Sequence, residues 1–203
     1  MGTSKALLTH GDRTFVECTV AALREGGCEP VLVGLVDPLG PEAAAARRAG
    51  AELLAVHDSS PGPIASLRAA IAAHPSAPAV AVLPVDHPAV RPATVAALLA
   101  EHAASGAAIV VPEHEGRRGH PAVFDRSLFA ELTDPALQGG ARTVVRADPG
   151  RVRTVPVDDP GVLLDVDTPQ DLARLAAQAN GLAGQADAGS AAEDPPARDP
   201  KAR

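Results

Sequence analysis

The stretch Ala79-Val80-Ala81-Val82-Leu83-Pro84-Val85-Asp86-His87-Pro88 constrains what this chain folds into more than any other. An unbroken apolar run stopped by Pro, Asp and Pro predicts a central parallel strand that ends in a tight loop. In open α/β sheets, ligands bind beyond the carboxyl ends of such strands. An Asp at that point is placed to hold a hard cation such as Mg²⁺ against a phosphate. Asp165-Val166-Asp167 follows a second apolar run, Val162-Leu163-Leu164, so two carboxylates are available for one cation. Taken singly, either acid reads equally well as a helix cap or a turn residue.

The rest of the chain alternates helical and strand-like segments. Thr14 to Glu25 carries an apolar helical stripe (Phe15, Val16, Thr19, Val20, Leu23) and stops at Gly26-Gly27. Val31 to Val36 and Glu52 to Val56 read as strands, and Pro41 to Ala49 and Ile64 to Ala73 as helices. Pro92 opens a helix through about His102. Ala107 to Val111 and Ala122 to Phe124 predict further strands, with short helices over Ser127 to Leu132 and Ala141 to Ala147. Val152 to Val157 alternates like an edge or antiparallel strand. Thr168-Pro169-Gln170-Asp171 predicts a capping box, with Asp in place of Glu, opening a last helix that runs to about Gln178. The order predicts a three-layer α/β/α sandwich around a Rossmann-like, mainly parallel sheet. One domain then spans 1–178, and 179–203, poor in large apolar residues, is expected to be disordered.

Composition excludes several classes of function. With a net charge of −7, three Phe and no Trp or Tyr, the chain lacks both the basic surface and the stacking platforms of a nucleic-acid binder. No apolar stretch is long enough for a membrane span, and the N-terminus has no signal-peptide core, so the cytoplasm is the expected compartment. Cys18 and Cys28 match no zinc or disulfide pattern and read as structural residues. His57, His74, His102 and His114 share no metal-ligand spacing. His87 reads as a surface or packing residue without a catalytic role.

Three motifs together resemble the MobA-like nucleotidyltransferase superfamily, in particular its molybdenum cofactor cytidylyltransferase branch. Leu83-Pro84-Val85-Asp86-His87-Pro88 is similar to the strand-Asp-x-Pro segment whose Asp binds the catalytic Mg²⁺. Gly119-His120-Pro121 matches the Gly-His-Pro beside the acceptor substrate. Leu163-Leu164-Asp165-Val166-Asp167-Thr168-Pro169-Gln170-Asp171-Leu172 resembles the closing Asp-x-Asp-Thr-Pro-x-Asp-Leu signature, whose second Asp supplies another metal contact. Gly140-Ala141-Arg142 resembles the Gly-Ala-Arg ahead of a short helix in this branch. The likeness covers about residues 1 to 175 and implies a fold of the nucleotide-diphospho-sugar transferase type.

The resemblance implies roles residue by residue. Asp86 and Asp167 hold Mg²⁺, with Asp165 as the alternative second ligand. Lys5, one of two lysines in the chain, contacts the triphosphate. Gly2, Gly62 and Ser66 contact the nucleotide, and Gly119, His120 and Pro121 the acceptor. The Asn expected a few residues before Gly62 is replaced by His57-Asp58-Ser59. Arg117-Arg118 reads either as a contact to an anionic acceptor or as a solvated pair.

The implied reaction moves a nucleoside monophosphate, CMP from CTP, to a phosphorylated acceptor such as molybdopterin-type cofactor, with a molybdoenzyme as a downstream partner. Two other readings stand beside it: a non-catalytic protein that delivers nucleotide or cofactor, and an NAD(P)H-dependent oxidoreductase of the same superfamily. No Gly-x-Gly-x-x-Gly follows a predicted strand, which weighs against a dinucleotide site of the usual kind. Met1-Gly2-Thr3-Ser4-Lys5-Ala6-Leu7-Leu8 matches only the end of the family's opening strand and Gly-rich loop. The expectation from sequence is therefore a start lying upstream of Met1.

Overall fold

The computed structural model describes residues 4–56 and 62–177. Gly2, His57-Asp58-Ser59 and the tail from 178 onward, each of which carries an expectation from sequence, lie outside the described residues.

A 3-10 turn, Lys5–Leu7, leads into a small antiparallel hairpin of β1 (Thr9–His10) and β2 (Arg13–Thr14). Helix α1 (Phe15–Glu25) opens on a complete capping box: the Glu17 carboxylate accepts from the Thr14 amide at 2.8 Å, and Thr14 Oγ1 accepts from the Glu17 amide at 3.4 Å. Then come β3 (Leu32–Leu35), α2 (Pro41–Arg48), β4 (Glu52–Ala55), α3 (Ile64–Ala73), β5 (Ala79–Val82) and α4 (Pro92–Ser105). Helix α4 outlasts its expected end near His102 because no breaker intervenes before Gly106, which closes it in the left-handed conformation at φ 62°. The chain continues through β6 (Ile109–His114), β7 (Arg117–Arg118), β8 (Ala122–Asp125), α5 (Phe129–Thr133), α6 (Ala141–Ala147) and β9 (Val152–Pro156). A last helix, α7, covers 169–177. Its capping box is present: the Thr168 amide donates to Asp171 at 2.9 Å, and the Asp171 amide donates to Thr168 Oγ1 at 3.2 Å.

Strands β3 and β4 pair in parallel. In the larger sheet β8 lies between β5 and β6, antiparallel to both, so β5 and β6 point the same way, and β9 pairs in parallel with β6. This departs from the expectation in two places. The bonded neighbour of β5 is antiparallel, because β6 turns back through β7 into β8 without a crossover helix. The strand at 152–156 sits at an edge as its alternation implies, but it is parallel, since a helix and a 3-10 turn return the chain before it enters the sheet.

Alternation along the strands sets the three layers. Ile109, Val111, Ala122 and Phe124 pack with Leu67 and Ile71 of α3 and with Leu132 and Val144 on one face. Val110 and Val123 point to the other face and meet Leu98 of α4. On that same face Val16 and Val20 of α1 pack on Ala45 and Ala46 of α2. Almost all of this core is aliphatic, and Phe15, Phe124 and Phe129 are its aromatic members. The expected sandwich is the observed one.

Candidate active site

The site forms where β5 ends. Leu83-Pro84-Val85 carries the chain off the strand to Asp86, whose side chain is 27% exposed. Val166, fully buried against Phe15 and Leu175, donates its amide to the Asp86 carbonyl at 2.9 Å. That one bond straps the Asp165-Val166-Asp167 segment beside the β5 loop. It also explains the acid–apolar–acid pattern: Val166 is the anchor, and the flanking acids face outward.

Lys5 completes the group. Its Nζ hydrogen-bonds Asp167 Oδ1 and lies 3.7 Å from Asp86 Oδ2, so acids far apart in sequence converge on a single cation. The bond to Asp167, aided by both negative charges, raises the Lys5 pKa above its ordinary value. Asp86 moves the other way. A hydrogen bond from His87, followed by the charges of His87 and Lys5, lowers its pKa against the opposing effect of burial.

His87 is the residue that sequence reasoning misses. It is 7% exposed, and its Nδ1 lies 3.0 Å from Asp86 Oδ1, while Lys5 approaches the other carboxylate oxygen. Adjacency to Asp86 is the only signal the sequence offers for it. The His87 ring meets that of His120 edge-on, with centroids 4.7 Å apart.

The Gly119-His120-Pro121 loop is therefore at the same site. The His120 amide donates to the Val162 carbonyl at 2.9 Å, and the Gly119 amide to Pro112 O at 3.0 Å. A Cβ on Gly119 would lie 2.2 Å from Val162 O, so only glycine permits this approach. Gly119→Ala is expected to destabilise the fold by about 1–3 kcal/mol through overpacking. Urea denaturation checks this, and an unchanged midpoint would show that the loop relaxes freely.

His120 Nδ1 is buried and, among the described residues, without a hydrogen-bond partner. Burial, then the neighbouring His87, lowers its pKa from 6.5 to about 4. Folding consequently holds the ring neutral, while the unfolded chain takes up a proton below about pH 6.5. Stability from this residue is intact above pH 6.5 and is lost as the pH falls toward about 4. His120→Gln should flatten the dependence of Tm on pH in that window; parallel curves for the two proteins would contradict it.

Asp159 is a second residue without a sequence signal. It is 2% exposed, and its carboxyl group accepts from the Arg91 amide at 2.9 Å, the Thr94 hydroxyl at 2.6 Å and the Gly161 amide at 3.0 Å. It ties the start of α4, which follows the Asp86 loop, to the 3-10 turn Pro160–Leu163 whose Val162 carbonyl holds His120.

The nucleotide residues expected from sequence are less tightly gathered. Ser66 lines the cavity that reaches Asp86, together with Pro63, but its Oγ is turned toward Gly34. Gly62 stands just ahead of Pro63 at φ 77°, a left-handed conformation that suits glycine. Pro121 is buried behind His120, and Arg117-Arg118 is exposed on β7. Asp165 is exposed, and its charge acts on His120. The last helix is capped by Thr168, which leaves Asp167 free for Lys5. Cys18 and Cys28 are unbridged, and burial pushes the Cys18 thiol up to about 11.

A carboxylate pair closing on one cation beside a neutral histidine fits a site that binds phosphate groups through a cation. The sequence likeness is of the same kind. The domain model of the MobA-like NTP transferases matches residues 1–155. The chain belongs to the MobA-like NTP transferase family. It is an enzyme of nucleotidyltransferase type, built on the α/β architecture expected from its sequence.

Among its relatives, Nicotine blue oxidoreductase of Paenarthrobacter nicotinovorans is 31% identical over 178 residues, covering 84% of this chain and 87% of that protein. The crystal structure of Rv0371c from Mycobacterium tuberculosis H37Rv superposes with a TM-score of 0.72 at 33% identity, covering 87% of this chain and 91% of that one. A structure of Rv0371C in complex with manganese matches at 34% identity and a TM-score of 0.69, covering 87% of this chain and 93% of that one. Among the described residues no helix is long and apolar enough to cross a membrane.

Proposed function

We propose that this member of the family transfers a nucleoside monophosphate, with CTP the favoured donor, to a phosphorylated acceptor of the molybdopterin type. An acceptor phosphate oxygen bonds to the α-phosphorus of the triphosphate, the α–β bridging bond breaks, and pyrophosphate leaves. The observation that carries this reading is the meeting of Asp86 and Asp167 on the Lys5 ammonium, a geometry in which the two acids already accommodate a cation between them.

The fit of a metal follows from that donor set. Two carboxylates suit Mg²⁺, which takes few protein ligands and completes its shell with water and substrate phosphate. Among the described residues no third acid, His or Cys joins them. When bound, the ion neutralises charge on the phosphates as pyrophosphate departs.

The chain's own residues do the positioning. Asp86, kept ionised by His87 and Lys5, holds a fixed negative charge at the end of β5. Lys5, released from Asp167, offers a mobile positive charge to the triphosphate. Gly119 seats its loop against Val162, and the neutral His120 offers the acceptor a hydrogen-bonding nitrogen. Delivery of the product to a molybdoenzyme is the partner this reading implies.

The test is pyrophosphate release from CTP, GTP and ATP with molybdopterin cofactor, in Mg²⁺ and in Mn²⁺. CTP-dependent release supports the proposal, and none with any donor sinks it. Nucleotide bound without pyrophosphate release would point instead to a delivery protein.

The likeness to Nicotine blue oxidoreductase favours a second reading, an NAD(P)H-dependent oxidoreductase that acts on nicotine blue or a related substrate. Oxidation of NAD(P)H dependent on such a substrate, with no pyrophosphate from any triphosphate, decides for that reading.

A further inference from the structure

The two carboxylate oxygens of Asp86 have different neighbours. Oδ1 lies 3.0 Å from His87 Nδ1, and Oδ2 lies 3.7 Å from the Lys5 ammonium. An ionised carboxylate only accepts hydrogen bonds, so the proton between the two side chains belongs to His87 Nδ1. Oδ1 is thereby taken up, and Oδ2 is the oxygen left to meet a cation. His87 has little freedom to give way. Pro84 and Pro88 bracket its turn, its amide donates to the Pro84 carbonyl at 3.2 Å, and the residue is buried.

The same ring has a second contact. It meets His120 with centroids 4.7 Å apart and planes at 71°, a favourable edge-to-face arrangement. His120 Nδ1 is buried and, among the described residues, has no hydrogen-bond partner. Packing therefore sets the tilt of that ring, not a bond at this nitrogen. His87 stands between the acid that faces the cation and the Gly119-His120-Pro121 loop, and it touches each with a different part of its side chain.

We propose that His87 is a positioning residue that joins the two halves of the site: its Nδ1–H reserves Asp86 Oδ1 so that Oδ2 alone faces the cation, and its ring sets the position of His120 toward the acceptor. Without that bond the carboxylate is free to rotate and to offer both oxygens. A single fixed oxygen suits Mg²⁺, whose octahedral shell tolerates little distortion. Outer partners of metal ligands act in this way, by holding the ligand rather than the ion. The word acceptor rests on the transferase reading; the contacts of His87 do not.

The two contacts are separable by substitution. His87→Asn keeps a donor near the Nδ1 position and loses the ring, whereas His87→Phe keeps a ring and loses the donor. His87→Leu loses both. Mn²⁺ affinity, measured from the free-ion paramagnetic resonance signal without nucleotide, should fall about 10- to 100-fold in the Phe and Leu proteins and hold within about 2-fold in the Asn protein. Amide exchange at Gly119 and His120 should quicken by about 3- to 10-fold in the Asn and Leu proteins and stay near normal in the Phe protein. With CTP and molybdopterin cofactor, the Phe substitution should lower kcat, and the Asn substitution should appear in the acceptor KM.

A residue that merely fills space gives another order, with affinity following Tm and the small Asn faring worst. That order overturns the proposal, as does unchanged Mn²⁺ affinity in both the Phe and Leu proteins. Exchange at Gly119 and His120 that ignores loss of the ring overturns it too. If the Phe protein does not fold, the Leu and Asn proteins still decide by their contrast in Mn²⁺ affinity. Pyrophosphate release tests the transferase reading separately, since neither Mn²⁺ affinity nor exchange depends on turnover.

Discussion

Asp86→Asn is expected to lower nucleotidyl transfer by about 10³-fold, equivalent to about 4 kcal/mol of transition-state stabilisation. Asn preserves the volume and can still meet His87, so the fold and the site's shape survive while the charge is lost. The effect should appear in kcat for pyrophosphate release, with Tm close to that of the unsubstituted protein. Asp167→Asn should cost less, about 10- to 100-fold, because a more solvated carboxylate contributes less to the local field. The side-chain exposures set that order: 60% for Asp167 against 27% for Asp86. An Asp86→Asn protein that turns over at the normal rate would remove this residue from the chemistry. A reversed ranking would move the centre of the site toward the Asp165-Asp167 segment.

Replacing Asp159 by Ala should destabilise the protein by about 3–5 kcal/mol, a large share of the roughly 5–15 kcal/mol typical of a domain. The carboxyl group satisfies two backbone amides and a hydroxyl, and at 2% exposure water cannot replace it. Leaving such donors unpaired costs about 1–3 kcal/mol each. Asp159→Asn, which retains one acceptor oxygen, should lose roughly half as much. Chemical denaturation measures both. Because Asp159 joins the start of α4 to the turn that holds His120, the Ala substitution should also increase amide exchange at Gly119 and His120. A small stability loss with unchanged exchange would show that the three loops are held independently.

Elements that reinforce their own local pattern are legible in the amino-acid sequence. Thr168 with Asp171 places the start of the last helix, because a capping box is complete within four positions, and the apolar stripe from Phe15 to Leu23 places α1 to within a residue. Ile64–Ala73 and Ala141–Ala147 coincide with their expected spans for the same reason: breakers bound each one. Strand pairing is less legible. The parallel alignment of β9 and the antiparallel insertion of β8 beside β5 depend on which way the connecting chain returns, and alternation within a strand is blind to that.

At the site, residue type marks Asp86, Asp167 and the Gly119-His120-Pro121 loop, since a carboxylate after a buried strand and a glycine before a histidine carry their chemistry locally. His87 and Asp159 stay invisible because their importance is relational. A buried histidine becomes significant through the carboxylate it touches, and a buried acid through the three donors around it. From sequence alone, Ala79 to Asp86 is a buried strand with an acid at its end, and that much the chain determines by itself through apolar run length and the residues that stop it. Which groups face that acid is decided only when distant segments pack. Hydrogen bonds and cavities are properties of pairs of surfaces, and no single stretch of sequence contains both.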